Sequence, residues 1–143
     1  MRDTNGQRVI DTTWWTLRIA FGLVPLLAGL DKFFNLLADW PRYIAPVFSG
    51  LLPTSPQAFM YLVGIIEIAA GILTLVKPRV GAWVVGAWLV AIALNLVILG
   101  RFDIAVRDIV MAIGAYALAR LAEVHAAERE PAMQTSRSAR AHA

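Results

Sequence analysis

The sequence contains no cysteine. That excludes a disulfide, a thiolate metal site, iron–sulfur ligation and thiol redox chemistry in this chain. Charge is scarce too. Asp, Glu, Lys and Arg make up 16% of the 143 residues, against about 25% in an ordinary soluble domain. Histidine occurs only at His125 and His142, after the last apolar run. Transmembrane haem needs His pairs on facing helices, so it is not expected, and Met60 and Met111 have no evident partner as axial ligands. No phosphate-cradling glycine loop, Ser–His–Asp set or zinc spacing is present, so no metal site is expected. The net charge is only +3. Its excess lies mainly in the tails and one loop, which reads as membrane orientation and not as nucleic-acid binding.

What is abundant is apolar sequence, at 59% of residues. Four runs stand out, near residues 14–37, 57–76, 80–99 and 104–121. Each is long enough to cross a hydrocarbon core of about 30 Å as a helix. None alternates polar with apolar as a barrel strand would. The predicted fold class is all-α, a polytopic membrane four-helix bundle. Residues 1–13 form a short N-terminal segment and residues 122–143 a charged, largely disordered tail. Pro41, Pro46, Pro53 and Pro56 break the chain between the first two runs. The same connection carries Trp40, Tyr43, Phe48, Leu51 and Leu52, which predicts that it lies in the interface or dips into the bundle mouth. Lys77-Pro78-Arg79 makes a tight turn. Gly100-Arg101 ends the third run, and Asp103 is the expected N-cap of the fourth.

Four spans place both termini and the second connection on one side. Arg2, Arg8, Lys77, Arg79, Arg120, Arg129, Arg137 and Arg140 lie there; only Arg42 and Arg101 lie opposite. The bias puts both termini in the cytoplasm. Trp14, Trp15, Trp40 and Tyr43 read as an interfacial belt. Trp83 and Trp88 face either lipid or a pocket.

Ionisable groups inside a membrane cost about 2.5–3.5 kcal/mol each on insertion scales. This chain keeps Arg18, Asp31, Lys32, Glu67, Arg107 and Asp108 in or near its spans, with Asn95 as a neutral polar group. Arg18, Gly22, Pro25, Gly29 and Lys32 recur at four, three, four and three residues, so they form one helical stripe. The glycines in it admit a close neighbour. Gly64, Glu67 and Gly71 form a matching stripe on the second helix. Lys32, Glu67, Asn95, Arg107 and Asp108 are thereby predicted to form one buried polar cluster open toward the outer face. Arg18, Gly22, Gly29, Gly64 and Gly71 are its packing support. Asp31 lies about 140° from the stripe, which predicts an outer-interface residue outside the cluster. The plainer alternative is that the charges only pair and pin helix register, or that Arg18 and Lys32 snorkel.

From Trp14 to Leu121 the sequence resembles the DoxX-like family of small four-helix integral membrane proteins. Arg18, Gly22, Gly29 and Lys32 carry the likeness in the first helix, Gly64, Glu67 and Gly71 in the second, and Arg107-Asp108 in the fourth. The resemblance implies a multi-pass protein of the bacterial cytoplasmic membrane. It also implies a link to quinone-coupled redox complexes, since the family takes its name from a subunit of a thiosulfate:quinone oxidoreductase. Relatives that work through thiols are poor guides to a chain without cysteine. Three functions fit these residues. The first is an accessory or membrane subunit of a quinone-linked oxidoreductase, with no intrinsic cofactor, a quinone as ligand and electrons from a partner enzyme. The second is a carrier for a weakly acidic solute, which would need to form a homo-oligomer. The third is a scaffold or assembly factor without a small-molecule site.

Overall fold

The computed structural model describes residues 4–51 and 55–141. Arg2, Leu52, Pro53 and His142, named above, lie outside them. The chain is all-helical: α1 (Thr4–Asp31), a 3-10 turn (Trp40–Tyr43), α2 (Pro46–Leu51), α3 (Pro56–Val76), α4 (Pro78–Ile98) and α5 (Phe102–Ala141). Among the described residues three helices, Asn5–Asp31, Pro56–Val76 and Pro78–Ile98, are long and apolar enough to cross a membrane. The expected fourth span falls in α5, which is not among them. Its apolar stretch is bracketed by Arg107-Asp108 and Arg120.

Local chemistry sets the helix ends. The Ser55 hydroxyl accepts the Ala58 N–H at 3.2 Å and caps α3, with Pro56 in the first turn. Lys77 ends α3 and starts α4, because Pro78 cannot continue the first helix but can begin the second. The end of α4 is a Schellman motif: Arg101 N–H bonds Leu96 O at 2.8 Å and Gly100 N–H bonds Val97 O at 3.0 Å. Gly100 supplies the required left-handed residue, at φ 78°.

Several boundaries differ from the sequence reading. α1 starts at Thr4, within the presumed leading segment, and stops at Asp31, short of Leu37. Asp31 turns the chain there through its carboxylate. Asp103 sits inside the first turn of α5, and the Arg101 carbonyl, which accepts the Ala105 N–H at 3.0 Å, is the start of the helix. The helix then continues through the presumed tail to Ala141.

Successive long helices run antiparallel. α1 packs on α3 and α4 on α5, and these are the two most extensive contacts. The α1–α3 crossing is backbone on backbone. A Cβ added at Gly29 would meet Gly64 O at 2.6 Å, and one at Gly71 would meet Gly22 O at 2.6 Å. Elsewhere many of the buried side chains are small, Ala70, Ala82, Ala93, Ala105, Ala115, Ala119 and Ala122, beside the larger Trp14, Met60, Val85, Leu96 and Leu118. Many large apolar residues point outward, among them Leu23, Leu62, Ile72, Leu94, Ile98 and Ile113. Small residues at helix contacts and large apolar ones outside suit a surrounding medium of lipid.

Candidate functional site

Lys32 follows the last residue of α1, and Glu67 lies mid-way along α3. The Gly29–Gly64 contact brings the two backbones close enough for their side chains to meet. Lys32 Nζ stands 2.5 Å from Glu67 Oε2, with the two side chains only 4% and 7% exposed. The rest of each group's surroundings is sparse. Lys32 Nζ lies 3.5 Å from Ala28 O and 3.7 Å from the centre of the Trp40 ring. Glu67 Oε1 accepts the Trp88 indole N–H at a long 3.4 Å. An ammonium and a carboxylate are thus held between two indoles in an apolar bundle. The charges neutralise each other, and the Trp40 face adds cation–π attraction.

The loop above this pair is tied at both ends. At one end the Asp31 carboxylate accepts the Leu36 and Leu37 N–H groups, each at 3.0 Å, and the Trp40 indole N–H at 2.8 Å. At the other end Asn95 of α4 donates to Tyr43 O at 2.6 Å and accepts Ala45 N–H at 3.0 Å. Gln57 closes the side by donating to Lys32 O at 3.1 Å.

The expected single cluster is divided. Lys32 and Glu67 meet, but Asn95 anchors the loop. Arg107 and Asp108 pair with each other, the shortest N–O distance being 3.1 Å, with Asp108 buried and Arg107 64% exposed. Among the described residues no hydrogen bond or ion pair joins Arg107 or Asp108 to Lys32 or Glu67. The reason is rotational: α5 turns Arg107 outward, and Asp108 reaches only its neighbour. Asp31 departs from expectation in the other direction. It is 7% exposed and holds the tryptophan that covers Lys32.

Arg18 faces protein, donating through Nε and Nη2 to Leu75 O near the end of α3, where helix carbonyls lack partners. Its guanidinium also lies 4.9 Å from the ring centres of Trp14 and Trp15. Trp14 faces protein and not the surroundings. It is buried against Ala82, Leu118, Ala119 and Ala122 and stacks on His125 at 4.2 Å. His125 therefore belongs to the helix packing and not to a free tail.

Among known families, the model of the DoxX family matches residues 13–102. The chain belongs to the DoxX family. No curated protein matches it, and neither does any solved structure. The match takes in the glycine stripes, Lys32, Glu67 and Asn95. It stops before Arg107-Asp108, so that part of the resemblance over Trp14–Leu121 lies outside it. In this DoxX protein the residues that sequence reasoning missed are the indoles. Trp88 had one signal, its place in an otherwise apolar helix, but that did not say which way it faced. Trp40 had none beyond its loop, since only the fold of that loop carries it over Lys32. Among the described residues no group of three or more His, Asp or Glu side chains is placed to hold a metal.

Proposed function

We propose that this DoxX protein is an accessory or membrane subunit of a quinone-linked oxidoreductase of the bacterial cytoplasmic membrane. In this reading α5 supplies a fourth span, and both termini are cytoplasmic, as the Lys and Arg bias requires. The observation that carries the proposal is the Lys32–Glu67 ion pair, buried between Trp40 and Trp88 in an apolar bundle. A quinone head group needs an aromatic wall, a donor for a carbonyl oxygen and a group that can hand over a proton. Trp40 offers the wall, Lys32 the donor and Glu67 the proton relay. Quinone reduction to quinol takes two electrons and two protons. No residue here is a redox centre of that kind, so the electrons come from a partner redox enzyme. A ligand reaches the pair only if Trp40 moves, because both charged groups are covered.

The test uses the full chain in lipid nanodiscs and a short-chain ubiquinone analogue. Trp40 and Trp88 flank the pair, so binding is expected to quench tryptophan emission saturably. Glu67→Gln and Lys32→Met are each expected to weaken that binding about tenfold or more, the loss of one charged hydrogen bond. Unchanged affinity in both variants would remove the site. A stoichiometric flavoprotein or other redox subunit co-purifying in mild detergent would identify the partner.

One observation favours a second reading. Lys32 and Glu67 satisfy each other within the chain, as a purely structural pair would. In that scaffold reading, replacing both by apolar residues of similar size preserves fold and phenotype.

A further inference from the structure

Toward the end of α1 away from Lys32, four buried side-chain atoms lack a hydrogen-bond partner among the described residues. They are Asp11 Oδ1, Trp14 Nε1 and both ring nitrogens of His125, and all fall at one place. Buried polar groups are normally paired, so such a gathering calls for a reason. His125 Nδ1 stands 3.5 Å from Asp11 Oδ1, with the imidazole 13% exposed and the Asp11 side chain 46%. The imidazole lies flat on Trp14, with ring centroids 4.2 Å apart and planes 17° apart. These contacts belong to a thin seam. α1 touches α5 along much less of its length than α4 does. The seam runs from Phe21 against Gly114 to Trp14 against Leu118, Ala119 and Ala122. Beyond His125, α5 continues to Ala141.

We propose that Asp11 and His125 form a proton-operated clasp between α1 and α5. A neutral imidazole carries one N–H, and an imidazolium carries two and a positive charge. Protonation puts a charged donor on Nδ1, facing the Asp11 carboxylate, and a cation on the Trp14 face. At 3.5 Å the two atoms stand slightly beyond an ordinary hydrogen bond, so closing the gap draws α5 onto α1. The other charges nearby are few. On α1 the Arg18 guanidinium reaches the same Trp14 ring at 4.9 Å and opposes a second cation there, and Arg8 is exposed. On α5 Glu123 is paired with Arg120. From α4 the neighbour is Ala82, and Arg79 in the first turn of that helix is exposed. Among the described residues Asp11 is the one charged group paired with the imidazole. The charged ring is the form that finds a partner. The clasp therefore tightens as pH falls through the histidine range and loosens as it rises. The inference stands whether or not the Lys32–Glu67 pair binds a quinone.

The test uses the full chain in lipid nanodiscs with His142→Gln, which leaves His125 as the single histidine. Isotope-labelled histidine lets NMR follow protonation of the ring directly. The chain has no cysteine, so a spin label at Val124→Cys, a position 49% exposed, follows the motion of α5 beside the clasp. Asp11→Asn keeps the shape of a half-exposed side chain and removes its charge. It is expected to weaken proton binding at His125 about threefold or more. Acidification from about pH 8 to about pH 6 is expected to slow the label in the parent. In Asp11→Asn the slowing is expected to move to lower pH, and in His125→Gln to disappear. Equal proton affinity in the parent and Asp11→Asn would overturn the pairing. A label whose motion ignores pH, or that slows as much in His125→Gln, would overturn the clasp. Asp11→Asn decides the pairing whether or not a glutamine at position 125 packs on Trp14.

Discussion

Replacing Lys32 by Met strands the Glu67 carboxylate among apolar side chains, and replacing Glu67 by Leu strands the ammonium. Neither group has a good second partner. Trp88 N–H lies 3.4 Å from Glu67 Oε1, and Ala28 O lies 3.5 Å from Lys32 Nζ. Removing one member of a buried pair costs about 3–5 kcal/mol, and a lone charge in a span costs about 2.5–3.5 kcal/mol. Each single variant is therefore expected to lose about 3 kcal/mol. If the two effects were independent, the double variant would lose about 6 kcal/mol. It carries no stranded charge, however, and exchanging a buried pair for apolar residues is often neutral. A loss of about 1 kcal/mol or less is expected. The resulting non-additivity, about 5 kcal/mol, far exceeds the roughly 0.3–0.5 kcal/mol scatter between independent sites. Reversible unfolding in mixed micelles, followed by tryptophan emission, measures all four corners of the cycle. Additive losses, or single variants as stable as the parent, would refute the view that these residues are held as a mutually dependent pair. The same double variant separates the two functional readings. A folded protein that no longer binds the quinone analogue supports a ligand site; a folded protein with an unchanged phenotype supports a scaffold.

Gly29→Ala and Gly64→Ala each push a Cβ to 2.6 Å from the facing carbonyl oxygen, so each is expected to cost about 1–3 kcal/mol by overpacking. Gly86→Ala meets Ala115 Cβ at an ordinary 3.6 Å and is expected to unfold no more easily than the parent in the same assay. Asn95→Leu removes two hydrogen bonds to the loop, worth about 1 kcal/mol each. Hydrogen exchange at Tyr43–Ala45 is expected to quicken while α3 and α4 stay protected. Unchanged exchange there would show that Asn95 does not hold the loop.

Much of the architecture is legible in the chain itself. Length and apolarity specify long helices, and the prolines that begin α2, α3 and α4 and Gly100 at the α4 end specify several of their boundaries. The Arg18-Gly22-Gly29-Lys32 and Gly64-Glu67-Gly71 stripes predict the α1–α3 seam, because residues three and four apart share a helix face whatever the partner is. The end of α1 is not written in its composition. An apolar run to Leu37 looks helical by composition, and only a side-chain bond from Asp31 to its own following backbone ends the helix six residues earlier. Residues 122–141 continue α5 for a related reason: charge and alanine content describe solubility, not whether a helix already under way will continue.

The partners of the polar residues depended on tertiary structure. Asp31, Arg107, Asp108 and Asn95 all lie near the same end of the bundle, so depth alone would gather them with Lys32 and Glu67. Depth is one coordinate. Rotation about each helix axis and the path of the loop are two more, and they are settled by packing between elements distant in sequence. That is why helix lengths and the glycine stripes could be read from the sequence of this DoxX protein. The sealing of the Lys32–Glu67 pair by Trp40 and Trp88 could not, because it exists only once four separate segments have docked.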